Sequence, residues 1–225
     1  MSDVLIADDH PLFRDALERA VRAAIPRAQV HSADNVPSLL ELIERYSEAE
    51  LLLLDLHMPG ARGYSALAHI RGQYPGLPTI VVSGHEEAQV ARRAIAHGAS
   101  AYIPKSTSGE DIITAIGCVL DGDVWLPHRL MGGGEAVLKP AEADVAARIA
   151  SLTPQQFRVL TMIAEGLLNK QIAYDLGVSE ATVKAHMTAI MRKLGVNNRT
   201  QVALAAGHLA VDNTAMPPIP EESDS

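Results

Sequence analysis

Five short apolar runs recur along the first half of the chain: Val4–Ala7, Val30–Ala33, Leu51–Leu54, Ile80–Ser83 and Ala101–Ile103. Each is followed by a stretch with helical periodicity, in turn Phe13–Ala24, Ser38–Tyr46, Tyr64–Gln73, Ala88–His97 and Glu110–Leu120. Runs this short and largely apolar suit strands covered by helices on both faces. Five β–α repeats predict an α/β domain, doubly wound around a five-stranded parallel sheet, over residues 1–125. Sheets of this kind hold their ligands beyond the carboxyl ends of the strands.

The polar residues at those ends form a pattern. Asp8 and Asp9 follow the first run, Asp55 follows the third, Ser83 closes the fourth, and Lys105 lies just past the fifth. Two like charges ~4 Å apart repel by about 4 kcal/mol at an effective dielectric near 20, so adjacent carboxylates need water or a cation. Taken singly, each has a mundane use. Asp9 before Pro11 reads as a helix N-cap; Asp55 could be a turn residue before Pro59-Gly60, and Lys105 a solvated surface lysine. Taken together, and with the first and third strands side by side, they are the parts of a phosphoryl-accepting site. Three carboxylates suit Mg²⁺, which takes a few carboxylates plus water. A carboxylate can accept a phosphoryl group covalently. Lys105 can pair with the product, and Ser83 can hydrogen-bond a phosphoryl oxygen.

The second half has a different texture. Residues 1–125 hold ten Lys/Arg against seventeen Asp/Glu, whereas residues 151–211 hold six against three. That asymmetry suggests different partners for the two halves, and opposite charges could let them dock and mask a binding face. Residues 126–150 break the alternation with Gly132-Gly133-Gly134 and read as a linker, whose Ala-rich part from Lys139 to Ala150 could be helical. From Ser151 the strands vanish and four helices follow. Thr153-Pro154-Gln155-Gln156 is a capping-box start. A short helix from Asn169 to Leu176 ends at Gly177, Ser179 caps the next to Leu194, and the last runs from Asn198 or Arg199 to Ala210. Val183, Met187, Ile190 and Leu194 form one apolar stripe, opposite an outer face carrying Lys184, Ala185 and Thr188. This layout fits a helix-turn-helix, and equally a plain helical hairpin with a solvated face. Residues 212–225 read as a disordered tail.

Cys118 is the single cysteine, so intramolecular disulfides and Cys-based zinc clusters are excluded. The opening residues lack a signal-peptide pattern, and no apolar run could span a bilayer. The expectation is a cytoplasmic protein with no membrane partner.

Residues 3–120 resemble a response-regulator receiver domain, with a flavodoxin-like sheet. The resemblance rests on Ala7-Asp8-Asp9-His10, Leu53-Leu54-Asp55-Leu56-His57-Met58-Pro59-Gly60, Val82-Ser83-Gly84 and Gly98-Ala99-Ser100-Ala101-Tyr102-Ile103-Pro104-Lys105. It implies that Asp55 is the phosphoacceptor and that Asp8, Asp9, Asp55 and the His57 backbone carbonyl hold Mg²⁺. It also makes Ser83 and Tyr102 a switch pair, the ring turning inward once the hydroxyl meets the phosphoryl group. Many receivers have Pro directly after the lysine; here Ser106 follows and Pro104 precedes, which puts the local loop in question.

Residues 151–206 are similar to the LuxR-type (NarL-type) helix-turn-helix domain, through Leu152-Thr153-Pro154, Ile163-Ala164-Glu165-Gly166, Asn169-Lys170-Gln171-Ile172-Ala173, Leu176-Gly177-Val178-Ser179, Thr182-Val183-Lys184-Ala185-His186 and Lys193-Leu194-Gly195-Val196. The resemblance implies a recognition helix over Ser179–Leu194, with Lys184, Ala185 and Thr188 toward bases. It places Asn169, Lys170, Thr182, His186 and Arg199 toward phosphates, although His186 could equally be a packed core histidine. Thr188 stands where some relatives carry a basic residue. The function implied is a two-component response regulator, not an enzyme, phosphorylated by a sensor histidine kinase, dimeric when phosphorylated, binding DNA and admitting RNA polymerase as a partner. Two alternatives stand beside it: a regulator whose receiver is an unphosphorylated interaction module, and a phosphatase working through an aspartyl-phosphate. The phosphatase would want a second Asp where His57 stands.

Overall fold

The structure, a computed structural model, describes residues 2–61, 63–131 and 138–211. Five strands, β1 (Asp3–Ala7), β2 (Gln29–Ala33), β3 (Leu51–Asp55), β4 (Thr79–Ser83) and β5 (Ala101–Pro104), pair in parallel in the order β2-β1-β3-β4-β5. β1 and β3 are neighbours, with Ala7 opposite Leu54, so the acid pair and Asp55 open on the same rim. Helices α1 (Pro11–Ala24), α2 (Val36–Arg45), α3 (Ser65–Gln73), α4 (Ala88–Ala96) and α5 (Gly109–Leu120) cover the two faces.

Successive strand residues point to opposite faces, and the core divides accordingly. Val4, Ile6, Leu51, Leu53, Ile80, Val82 and Ile103 pack with Leu17 and Val21 of α1 and Ile112 and Ile116 of α5. Leu5, Ala7, Leu52, Leu54, Val81 and Tyr102 pack with α2, α3 and α4. This second layer does not stop at the edge of the receiver-like half. It continues through Val145, Ile149, Phe157, Ile172 and Leu209 into the helical half.

The helical half comprises α6 (Pro140–Ala150), α7 (Pro154–Ala164), α8 (Asn169–Asp175), α9 (Glu180–Leu194) and α10 (Arg199–Gly207). The capping box at Thr153 forms with Gln156, and Ser179 and Asn198 cap α9 and α10. α9 ends where Gly195 turns left-handed at φ 67°, a conformation that costs glycine little.

The segment read as a linker is more structured than a spacer. Residues 128–130 form a 3-10 turn, and α6 lies against α3 with Val145 and Ile149 buried. Pro140 at its first turn and this apolar pair explain the helix. The approach is close: a Cβ added at Gly72 of α3 would stand 2.5 Å from the Ala150 Cβ. The glycine run Gly132–Gly134 and the tail 212–225 lie outside the described residues. The last helix stops at Gly207 rather than Ala210, because the chain there turns back to the first half, Leu209 O accepting a hydrogen bond from Tyr64 N at 2.8 Å. Val202 and Ala205 of α10 are buried, while Leu204 is exposed.

Candidate functional site

At the carboxyl rim, Asp8 and Asp55 are buried, while Asp9 at the start of the following turn is partly exposed. Their geometry is set by short local bonds. Asp8 Oδ1 accepts the His10 amide at 2.7 Å, and Asp55 Oδ1 accepts the His57 amide at 3.0 Å. Lys105 reaches across from β5 and places Nζ 2.8 Å from Asp55 Oδ2 and 2.9 Å from Asp8 Oδ2. The contact to Asp55 is a well-directed hydrogen bond; that to Asp8 is close in distance but not aligned, leaving Asp8 Oδ2 without a hydrogen bond. Burial pushes the Lys105 ammonium down, and the Asp55 hydrogen bond together with the close carboxylates of Asp55 and Asp8 more than reverses this, so it stands above its ordinary value and stays charged.

Three residues that pattern reading missed complete the rim. His10 Nδ1 lies 2.7 Å from Asp9 Oδ1 and 3.3 Å from Lys105 Nζ. The Phe13 ring lies beneath Lys105, its centroid 5.1 Å from Nζ. Arg14 donates to the Asp8 carbonyl at 2.8 Å. His10 was detectable, being next to the acid pair; Phe13 and Arg14 resemble any first-turn helix residues.

The ligand atoms of Asp8, Asp9, His10 and Asp55 all lie within 4.8 Å of one another. Asp8 Oδ2 and Asp9 Oδ1 are buried and lack hydrogen bonds. Hard oxygen donors with spare lone pairs fit a divalent cation such as Mg²⁺.

Ser83 is fully buried at the end of β4, its Oγ accepting the His85 amide at 3.2 Å. Tyr102 is also fully buried, and its hydroxyl donates to the His85 carbonyl at 2.9 Å. Burial pushes this phenol up to about 12; a hydrogen bond with Ser83 opposes the shift, while the charges of Glu87, Asp55 and Glu86 add to it. The hydroxyl is therefore a permanent neutral donor on a ring that is fully enclosed. Lys105 N donates to Ser83 O at 2.7 Å, so the loop bearing Pro104 and Ser106 keeps Lys105 registered on β4.

In the helical half, Val183, Met187, Ile190 and Leu194 form the buried stripe of α9. Lys184, Ala185 and Thr188 lie exposed on its outer face, as do Lys170 and Thr182 nearby. The Thr188 hydroxyl donates to the Lys184 carbonyl at 3.1 Å. His186 is half-buried, neither a sealed core residue nor a freely projecting one. Arg199 turns inward: its guanidinium donates to Asn169 Oδ1 at 2.9 Å and to the Leu167 carbonyl. That clamp ties the start of α10 to the start of α8 and commits both Arg199 and Asn169 within the domain.

The expected docking of the two halves is present, but it does not mask the recognition face. It runs through α6, α7 and the chain after α10. Arg93 and His97, at the end of α4, converge on Glu142 of α6: Arg93 Nη2 and His97 Nε2 each lie 2.8 Å from Oε1. Tyr64 stacks on His97 with centroids 4.8 Å apart. His69 of α3 stacks on Phe157 of α7 at 4.1 Å and 9°. Gln73 donates to the Ala150 carbonyl at 2.7 Å, and Arg158 faces Glu41 and Glu44 of α2. Opposite charges do meet across the contact, at Arg93–Glu142 and at Arg158 with Glu41 and Glu44, beside apolar helix faces, and the basic outer face of α9 takes no part.

Comparison with known proteins covers both halves. Residues 4–117 match the family described as "Response regulator receiver domain", and residues 150–206 the family "Bacterial regulatory proteins, luxR family". The chain is 38% identical over 213 residues to the "Glycerol metabolism activator" of Pseudomonas putida, covering 93% of this chain and 96% of that one. It is 32% identical over 203 residues to the "Nitrate/nitrite response regulator protein NarL" of Escherichia coli K12, covering 89% and 93%. Among solved structures, RcsB of Salmonella enterica serovar Typhimurium bound to promoter DNA with a phosphomimetic matches with a TM-score of 0.54 at 23% identity, covering 93% of this chain and 99% of that one, a likeness of fold. No described helix is long and apolar enough to cross a membrane.

Proposed function

The chain belongs to the response regulators that join a receiver domain to a luxR-family DNA-binding domain, and from that premise we propose that it is a phosphorylation-controlled transcription regulator with Asp55 as its phosphoacceptor. The observation that carries this reading is the Lys105 ammonium set between Asp55 and Asp8 inside an acid cluster that has oxygens to spare.

In this reading a sensor histidine kinase presents a phosphoryl group to Asp55 Oδ2. A bond forms between that oxygen and phosphorus, the bond from phosphorus to the donor breaks, and the leaving group departs with its electron pair. Asp8, Asp9, Asp55 and the His57 carbonyl would hold Mg²⁺, which when bound shields the phosphoryl oxygens. Asp55 enters as the carboxylate and has no proton to lose. Lys105, held by Phe13 and Asp8, follows the Asp55 oxygen and offsets the added charge. Ser83 turns its hydroxyl to a phosphoryl oxygen, and Tyr102, buried beside it, fixes the loop through the His85 carbonyl. The output half reads DNA with Lys184, Ala185 and Thr188, while Lys170, Thr182 and His186 contact phosphates and Arg199 with Asn169 orients α8 and α10. Phosphorylated copies pair, RNA polymerase is a further partner, and the cytoplasm is the compartment that holds DNA and kinase together. Residues 1–125 receive the signal, 126–150 connect, and 151–211 bind DNA.

The test uses acetyl phosphate with Mg²⁺ and intact-mass spectrometry. The wild type gains one phosphoryl group; Asp55→Asn gains none. Equal uptake by both would remove Asp55 from the role. Selecting DNA from a random pool with and without phosphorylation then tests the output half.

A further inference from the structure

His69 has no part in the phosphoryl pocket or the DNA-reading helix, yet it is among the most enclosed polar side chains of the molecule. It sits on α3 with no solvent exposure, in the contact between the two halves. One face of its ring is covered by Phe157, which belongs to α7. Neither ring nitrogen makes a hydrogen bond; the Ile149 carbonyl of α6 lies near enough to influence the ring but is not aligned with it. A buried polar group without partners costs free energy that a leucine or phenylalanine here would not. The same contact encloses a second imidazole. His97 is sealed beneath Tyr64, bonded through Nε2 to Glu142, with the Arg93 guanidinium on the same oxygen.

We propose that the contact between the receiver and the helical half is a proton-responsive joint: His69 cannot take up a proton while Phe157 and α6 enclose it, so acidification drives the two halves apart.

Burial holds the His69 imidazole down to about 4, with the Ile149 carbonyl opposing in part. His97 is also lowered, by burial first and by Arg93, against the raising effect of Glu142. The charged and titratable groups around the joint are Arg93 and His97 on α4, Glu142 and Arg148 on α6, Arg158 on α7 with Glu41 and Glu44 of α2, and Arg71 with Tyr74 at the end of α3. Glu142 is lowered: burial raises it, and Arg93 and His97 overcome that. All the signs agree. A histidine whose value is lowered in the closed form stabilises closure fully above its open-state value of 6.5 and loses that stabilisation as the pH falls from there toward 4. A lowered Glu142 weakens closure further at still lower pH. From pH 7.5 to 5.5, His69 alone shifts the open-to-closed ratio about tenfold toward open.

The experiment needs neither phosphorylation nor DNA, so it stands or falls separately from the function proposed above. Dyes on cysteines placed at the exposed positions Glu48 and Asp175, in a Cys118→Ser background, report the distance between the halves in single full-length molecules. The open-to-closed ratio should rise at least about tenfold between pH 7.5 and 5.5, with far-UV circular dichroism unchanged. His69→Phe, which keeps the stacked ring, and His69→Gln should each remove that tenfold component. A wild-type distance distribution identical at the two pH values overturns the proposal, as does a full pH response in both variants. An NMR titration of the histidine rings in the wild type needs no variant: an independently assigned His69 resonance titrating near 6.5 in the closed form would also overturn it.

Discussion

At the carboxyl rim of the sheet three carboxylates face one ammonium, whereas between α4 and α6 one carboxylate faces a guanidinium and an imidazole. The first group is left short of positive charge, with Asp8 Oδ2 and Asp9 Oδ1 lacking hydrogen bonds. The second is complete: Glu142 Oε1 takes Arg93 through both Nε and Nη2 and His97 through Nε2. An uncompensated cluster is a binding site in waiting, because a cation or phosphoryl group can lower its energy. A compensated one is a fastener, because separating its members exposes charges that were paired. The molecule thus keeps its chemistry on one side of the receiver and its mechanical join on another.

The largest way to break this contrast is to withdraw divalent cations. Chelation should reduce phosphoryl uptake from acetyl phosphate at least about a hundredfold, since the acid cluster would then repel the incoming anion. The distance between the halves, read by the paired dyes, should not change; a chelator that opens the joint would contradict the separation of the two clusters. Next in size, Phe157→Ala removes a fully buried ring that packs the helical half and stacks on His69. It should cost about 3–5 kcal/mol in denaturant unfolding of the helical half, while Asp55 still accepts phosphate at the wild-type rate. Glu142→Gln should then open the joint by about 1–3 kcal/mol, because a neutral amide leaves the guanidinium of Arg93 poorly paired. An unchanged open-to-closed ratio in this variant would demote the cluster from fastener to bystander. An effect of similar size is the most selective: Lys184→Ala should weaken the best DNA site by about 1–3 kcal/mol and random DNA by less, with no change at either cluster. Equal losses on both DNAs, in titrations at several salt concentrations, would make Lys184 a phosphate contact and leave Ala185 and Thr188 to read bases.

The two clusters were not equally legible. Asp8, Asp9, Asp55, Ser83 and Lys105 fall at the ends of apolar runs, and a parallel sheet has only one rim on which those ends can meet. With β1 and β3 side by side, the rim could therefore be assembled from spacing. Glu142, Arg93, His97 and His69 carry no such signal. Each sits on an amphipathic helix where a charged or aromatic-sized residue is unremarkable, and their meeting depends on how α6 crosses α3 and α4. Arg199 makes the same point in the helical half. The helix-turn-helix resemblance placed it toward DNA phosphates, but its side chain folds back on Asn169 and Leu167.

What the sequence by itself determined is whatever local periodicity and capping dictate: five strands with their helices, the stripe of α9, the helix caps at Thr153 and Ser179, the turn at Gly177, and the acids at the strand ends. Only the tertiary structure decided that α6 is a docked helix rather than a spacer, that the recognition face stays open while the halves touch elsewhere, and that Arg199 turns inward onto Asn169. The physical reason is range. Strand and helix patterns are fixed by neighbours a few residues apart. The docking of two halves joined at residues 126–150 depends instead on contacts such as Gly72 with Ala150 and His69 with Phe157, between residues more than seventy positions apart, where a single absent Cβ allows the approach.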